Sequence, residues 1–388
     1  MIIGDRRRPG LPGELVGRLV LIWLGVAILQ GLALALELWL ESGSFASSTP
    51  GLGAIGQLAA LGCIMLLIGR LAYRFFDLEI AGLACLVSAL ALPLMAALRP
   101  VETNALAWQA VTLLFALNGL MARNSRSGGW AIGAALAVWL AISAQGAVLA
   151  LGILAVLAGK WLNNRAQRGW LVHALQAMTA VASAMVTGQW LFGVAAGCNA
   201  LGLAHLAALA WAAAVTTLVA AVEPHPRAFT LLGFAAAIGG ATTIIGGLAP
   251  SCGAAVTLGF ATARPLWQES LVFVVQAIGL PLVALGVTAN LHARAGDWLR
   301  RWWADYFLLI LLATILAVID GRVAPAACAL AAVPLGWQIR EWTRAARNSR
   351  RSGRRVIALA GVALACAPAL PVALVMTATP SVAGTLSR

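Results

Sequence analysis

The residues of this chain best suited to chemistry are arginines placed beside carboxylates at the ends of apolar stretches. Arg99 is followed by Glu102 and Asn104, and Arg264 by Gln268 and Glu269. Glu37, Glu41, Gln145, Asn199, His205 and the pair Asp320 and Arg322 stand at similar positions. A guanidinium offers a planar fork of N–H donors that grips a phosphate through two parallel bonds. A neighbouring carboxylate can take a proton from an attacking hydroxyl. The same pairs equally suit a plainer role as interfacial ion pairs that close helix ends, and spacing alone leaves both open.

Other motifs lose force when their surroundings are considered. Gly51-Leu-Gly53-Ala-Ile-Gly56 fits the GxGxxG string of dinucleotide folds, but no strand-like segment precedes it and an apolar run follows, so it reads as a Gly-rich turn. His173, His225 and His292 stand near basic residues, where solvated or interfacial roles are expected. His205 differs because it falls near the Cys198-Asn199 segment, and a buried, hydrogen-bonded histidine is its simplest reading. The six cysteines form no CxxC pair and no ligand spacing, so no metal site or cofactor is expected.

The elements that must position these residues follow from composition. Hydrophobic residues make up 62% of the chain, charged residues 10%, and mean hydropathy is +0.92. A soluble domain carries about 25% charge. Apolar stretches recur without period-two alternation, which excludes a β-barrel and leaves transmembrane helices. We therefore expect an all-α, polytopic helical membrane protein of about 13 transmembrane helices (11–13), forming a single transmembrane domain over residues 1–388. Candidate spans are 15–38, 54–72, 79–98, 106–121, 130–144, 146–160, 170–187, 204–222, 228–248, 269–290, 303–319, 323–339 and 356–376. The run from Leu15 follows Arg6, Arg7 and Arg8 but is too long for a leader, and no small-residue cleavage site follows it. The stretch 130–160 fits either two short helices around Gln145 and Gly146 or one long tilted helix.

With two helices there, 22 of the 26 Lys and Arg residues fall on one side of the membrane, and only Arg99, Arg264, Arg322 and Arg388 on the other. By the positive-inside rule the first side is cytoplasmic, the N-terminus included. The net charge of +13 is spread over short runs between spans, which argues against nucleic acid. Segments 292–303 and 338–355 read as basic cytoplasmic loops that meet membrane lipids at the headgroups. Cys198 and Cys252 fall near outer loops and are expected to be close enough for a disulfide, whereas Cys63, Cys85, Cys328 and Cys366 fall within spans as small hydrophobes. The small residues through Gly233–Gly247 suggest close helix packing.

Five segments carry a family resemblance between about Gly69 and Pro371. They are Leu98-Arg99-Pro100-Val101-Glu102-Thr103-Asn104, Ala141-Ile-Ser-Ala-Gln145, Cys198-Asn199-Ala200-Leu201, Ser251-Cys252-Gly253 and Arg264-Pro-Leu-Trp267-Gln-Glu269. In their arrangement the chain resembles bacterial multi-span proteins of the C-type membrane glycosyltransferase superfamily, which use polyprenyl-phosphate sugars. The pattern departs in acidic positions. Only Glu41 to Pro50 separates the first two spans, where relatives carry a long loop with paired acids. Glu102-Thr103-Asn104 stands for an Asp-His-His run, Gln145 for Glu, and Cys198-Asn199 for Cys-Asp.

The resemblance implies a bacterial inner-membrane protein acting at the outer leaflet on a polyprenyl-phosphate-linked sugar, in envelope polysaccharide or glycolipid assembly. It implies Glu102 as base, Glu37 or Glu41 as a second carboxylate, and Arg99 and Arg264 as phosphate holders. Asn104, Gln145, Asn199, His205 and Glu269 are then substrate contacts. A non-catalytic member of the fold that binds the lipid or scaffolds an assembly is the alternative. A transporter is the third reading, though no internal repeat and no mid-span charge relay support it. Protein partners are not legible in the sequence.

Overall fold

The computed structural model describes residues 52–97, 105–122, 124–142, 147–193, 201–222, 226–248, 264–349 and 351–366, with scattered helical positions between 13 and 28. Helices dominate, and no strand occurs among the described residues. In chain order they are α1 (Leu52–Phe75), α2 (Leu78–Leu90), α3 (Leu92–Ala97), α4 (Ala105–Leu120), α5 (Ser125–Ile142), α6 (Ala147–Asn163) and α7 (Arg168–Leu191). These are followed by α8 (Leu203–Ala221), α9 (Arg227–Leu248), α10 (Leu271–Arg294), α11 (Asp297–Ile319), α12 (Ala324–Asn348) and α13 (Ser352–Cys366). From 54 onward the expected spans fall largely on described helix, while 98, 143–144, 146 and 367–376 lie outside the described residues, and the stretch 130–160 holds two helices, α5 and α6. Among the described residues six helices are long and apolar enough to cross a membrane, and three shorter ones are apolar too. The protein is a helical membrane protein.

The chain forms two compact units: residues 1–107 with 264–388, and residues 108–263. In the first unit, α12 is the central helix. Every residue from Ala324 to Gly336 in it is buried, because a run of alanines with Leu, Val and two prolines has no polar face to turn outward. Gly336 lets α2 approach; a Cβ there would lie 2.7 Å from the backbone nitrogen of Ala84.

Prolines break the backbone ladder in this unit, and two side chains repair it. Pro334 has no N–H to give Leu330, and the Tyr306 hydroxyl donates to that orphan carbonyl at 2.7 Å. Pro93 splits the expected span 79–98 into α2 and α3. Gln276 of α10 bridges the break: its Oε1 accepts the Leu92 N–H at 2.7 Å, and its Nε2 donates to the Leu90 carbonyl at 3.4 Å. In hydrocarbon no water can do this, so the two buried side chains hold α2, α3 and α12 in register.

The second unit is built on the contact of α5 with α7. Gly128, Gly129 and Gly133 bring the two backbones together; a Cβ on Gly129 would lie 2.7 Å from that of His173, and one on Gly133 would meet the Ala174 carbonyl. The glycines of α9 divide. Gly233 and Gly240 accept Val219 and Trp211 of α8, while Gly239, Gly246 and Gly247 face open space. The expectation of close packing through Gly233–Gly247 therefore holds at two glycines, and the tighter contact lies on α5.

The basic segments expected as loops are helical. Residues 292–294 end α10 and 297–303 open α11, while 338–348 end α12 and 352–355 open α13. The helices run on beyond their apolar stretches because Arg, Ala and Leu are good helix residues, Trp is tolerated, and no Gly or Pro intervenes except Gly296 and Gly353. Cys85 and Cys328 are buried, whereas Cys63 and Cys366 are more exposed, and all four are free thiols. Cys198 and Cys252 lie outside the described residues.

Candidate functional site

Two short turns at one end of the first unit bring together four of the charged residues named from sequence. Pro265, fixed at φ −60°, turns the chain into a 3-10 turn over Leu266–Gln268. The Gln268 N–H donates to Pro265 O at 3.0 Å and the Glu269 N–H to Leu266 O at 3.1 Å. Leu266 is buried and anchors the turn, whereas Trp267 is 69% exposed. Ser270 then caps α10, its hydroxyl oxygen accepting the Phe273 N–H at 3.4 Å.

The second turn follows α11. Asp320 is its cap, and Gly321–Val323 form another 3-10 turn. The Gly321 N–H donates to the Arg264 carbonyl at 2.8 Å, which ties the turns together. A Cβ on Gly321 would lie 3.7 Å from Cγ of Glu269, so the Glu269 stem lies above this glycine.

The two arginines are used differently. Arg322 forks onto Asp320, with Nε to Oδ1 at 2.9 Å and Nη2 to Oδ2 at 3.0 Å, while Oδ1 also accepts the Arg322 N–H at 3.1 Å. Asp320 is buried, so this pair is shielded and its carboxylate is fully committed. Arg264 and Glu269 are both exposed. Among the described residues neither makes an ion pair. The Pro265 turn keeps apart two charges whose spacing left a self-neutralised pair open. A free guanidinium and a free carboxylate thus stand beside a locked Asp–Arg pair, an arrangement that can take an anion at Arg264 and a hydroxyl at Glu269.

His205 belongs to the second unit, in the first turn of α8. Its Nδ1 accepts the Gly202 N–H at 3.4 Å, which makes it a helix cap and assigns the proton to Nε2. Glu37, Glu41, Arg99, Glu102, Asn104, Gln145 and Asn199 lie outside the described residues. Among the described residues no group of three or more His, Cys, Asp or Glu could hold a metal ion.

Sequence reasoning missed a charged cluster at the far end of α12. Arg340 reaches Asp77 Oδ2 through Nη2 at 2.5 Å and Glu79 Oε2 through Nε at 2.9 Å. The only signal was the acidic pair Asp77 and Glu79 flanking a helix start, which does not say where its arginine lies.

No family model matches the chain, and no curated protein matches it in sequence. Solved structures do. The apo oligosaccharyltransferase of Archaeoglobus fulgidus superposes with a TM-score of 0.52 at 14% identity, over 81% of this chain and 43% of that one. The archaeal oligosaccharyltransferase AglB from Archaeoglobus fulgidus, in complex with an inhibitory peptide and a dolichol-phosphate, gives 0.51 at 13% identity over 82% and 44%. The same organism's enzyme tethered to an acceptor peptide with the NVT sequon gives 0.50 at 16% identity over 81% and 42%. The chain spans less than half the length of these neighbours. At this level of identity the likeness is one of fold: the chain shares the helical membrane fold of these archaeal oligosaccharyltransferases.

Proposed function

We propose that the protein binds a polyprenyl-phosphate-linked sugar at the outer leaflet of a bacterial inner membrane and acts in envelope polysaccharide or glycolipid assembly. The observation that carries this reading is Arg264, an exposed guanidinium without an ion pair among the described residues. It stands on a turn anchored by Leu266 and tied to Gly321, in a fold shared with an enzyme captured with dolichol-phosphate. Arg99 is the proposed second phosphate holder. Glu102 is the proposed base, with Glu37 or Glu41 as a second carboxylate, and Asn104 and Glu269 contact the sugar.

Binding of undecaprenyl phosphate to the detergent-solubilised protein tests the reading. A hydrogen bond to a charged group is worth about 1.5–3 kcal/mol, so Arg264→Ala and Arg99→Ala should each weaken affinity about 10- to 100-fold with an unchanged unfolding temperature. Unchanged affinity in both removes the site. If affinity falls while Glu102→Gln leaves sugar transfer untouched, Glu102 is not the base and the non-catalytic lipid binder becomes the better reading.

The proposed orientation has the N-terminus and the basic segments in the cytoplasm. An alkaline phosphatase fusion in the Gln338–Arg355 segment should be inactive, and one at Arg388 active. Active enzyme on the first fusion overturns that topology.

A further inference from the structure

We infer that the hairpin between α12 and α13 is a binding site for an anionic phospholipid, separate from the Arg264 region and at the opposite end of α12. Arg347, Arg351, Arg354 and Arg355 lie within nine residues of one another and are all exposed. None of the four makes an ion pair among the described residues. Their neighbour Arg344 is occupied instead, 4.0 Å from Glu79 and 3.9 Å from Glu341. No Asp or Glu follows Glu341 anywhere in the sequence, so this charge has no acidic counterpart nearby in the chain.

Two of these arginines are placed against the local electrostatics. Arg354 and Arg355 stand in the first turn of α13, where the helix dipole is positive and unpaired N–H groups point outward; acids belong there and cations cost stability. The positive-inside rule accounts for cations on this side of the membrane but not for their place in the first turn of a helix, where an anion would satisfy both the guanidinium groups and the helix N–H groups.

The surface beside them selects the form of that anion. Val356 is 65% exposed, Ile357 73% and Leu359 49%, so apolar surface begins immediately after Arg355 and continues along α13. The guanidinium groups therefore stand where hydrocarbon gives way to headgroups, with acyl-chain contacts one residue away. The hairpin is held in shape by Trp342, whose ring packs on Gly361; a Cβ at Gly361 would lie 3.1 Å from it. A phosphodiester headgroup with its acyl chains fits both halves of this surface.

The test is native mass spectrometry of the full chain in detergent, titrated with phosphatidylglycerol or phosphatidylcholine. Each arginine near a charged surface contributes about 1 kcal/mol, roughly fivefold in affinity. Phosphatidylglycerol should bind at least about tenfold more tightly than phosphatidylcholine. The combined variant R347Q/R351Q/R354Q/R355Q should lose that preference, with its unfolding temperature unchanged. A control with the same change in charge at exposed arginines outside both basic segments, R70Q/R126Q/R165Q/R227Q, should keep it. Preference retained in the first variant overturns the proposal, and so does equal loss in both, which would mean net charge alone. Inorganic phosphate competing as well as the lipid would show an anion site without acyl contacts and also overturn it. So would loss of a co-purifying acidic protein from the first variant while lipid preference stays intact.

Discussion

Replacing Gly133 with alanine should destabilise the second unit by about 3 kcal/mol, at the upper end of what overpacking usually costs. The new methyl group would meet the backbone carbonyl of Ala174, and the Cβ of Ala177 would be only 2.9 Å away. A flexible side chain can swing aside from such a contact, but a carbonyl inside α7 cannot. Relief therefore requires α5 and α7 to separate. Separation would also open the Gly129 contact, where His173 Cβ and the Trp170 carbonyl stand 2.7 and 3.0 Å from the position of a methyl group. Helices in lipid associate through close van der Waals packing, so a small increase in distance removes most of the attraction. Gly286→Ala in α10 is the control, because nothing lies within 4 Å of a Cβ there. It should leave stability unchanged or raise it by up to about 1 kcal/mol through helix propensity. Unfolding in detergent, followed by circular dichroism, compares the two. If Gly133→Ala proves as stable as Gly286→Ala, the α5–α7 contact is looser than described.

The helices were legible in the sequence because apolar length is a local property. Gln145-Gly146 marked the boundary between α5 and α6 for the same reason, since polar and small residues interrupt an otherwise continuous apolar run. Partners distant in the chain were not legible. Gln276 reads as an isolated polar residue in a span, and only the fold brings it 184 positions back to Leu92. The GxxxG spacing of Gly129 and Gly133 was present in the sequence but gives no partner, and the glycines of α9 drew attention by number although three of them face open space. At the candidate site, spacing left open whether Arg264 and Glu269 pair with each other. The 3-10 turn after Pro265 decides against it, because it buries Leu266 between them and leaves both charges exposed. Asp320 and Arg322 do pair, since the turn after α11 places donor and acceptor two residues apart on one side. The two longest cationic segments were legible as charge, but their continuation as helix depended on the absence of breakers rather than on any positive signal.

Neutralising the acids of the cluster at the far end of α12 should cost more than removing its arginine. Arg340 is the buried partner, with its side chain 9% exposed, whereas Asp77 and Glu79 are 31% and 51% exposed. In Asp77→Asn with Glu79→Gln the guanidinium keeps its charge, because it cannot lose its proton, and it has little water to replace the carboxylates. Leaving a buried charge unpaired costs about 3–5 kcal/mol, and the low end applies here because the amides still accept hydrogen bonds. The asparagine also preserves the cap of α2, where Asp77 Oδ1 accepts the Ile80 N–H at 3.1 Å, so the cost reports on charge and not on capping. Arg340→Met removes the buried charge instead and leaves two carboxylates that water can reach, so about 1–2 kcal/mol is expected from exposed or half-exposed pairs. Combining all three changes should recover part of the loss, since no charge then remains to be solvated, and the double-mutant cycle should show a coupling of about 1–3 kcal/mol. Thermal unfolding in detergent at fixed ionic strength measures each variant. A larger loss for Arg340→Met than for the acid pair would mean that the carboxylates, not the guanidinium, depend on the contact, and that burial does not set the balance in this cluster.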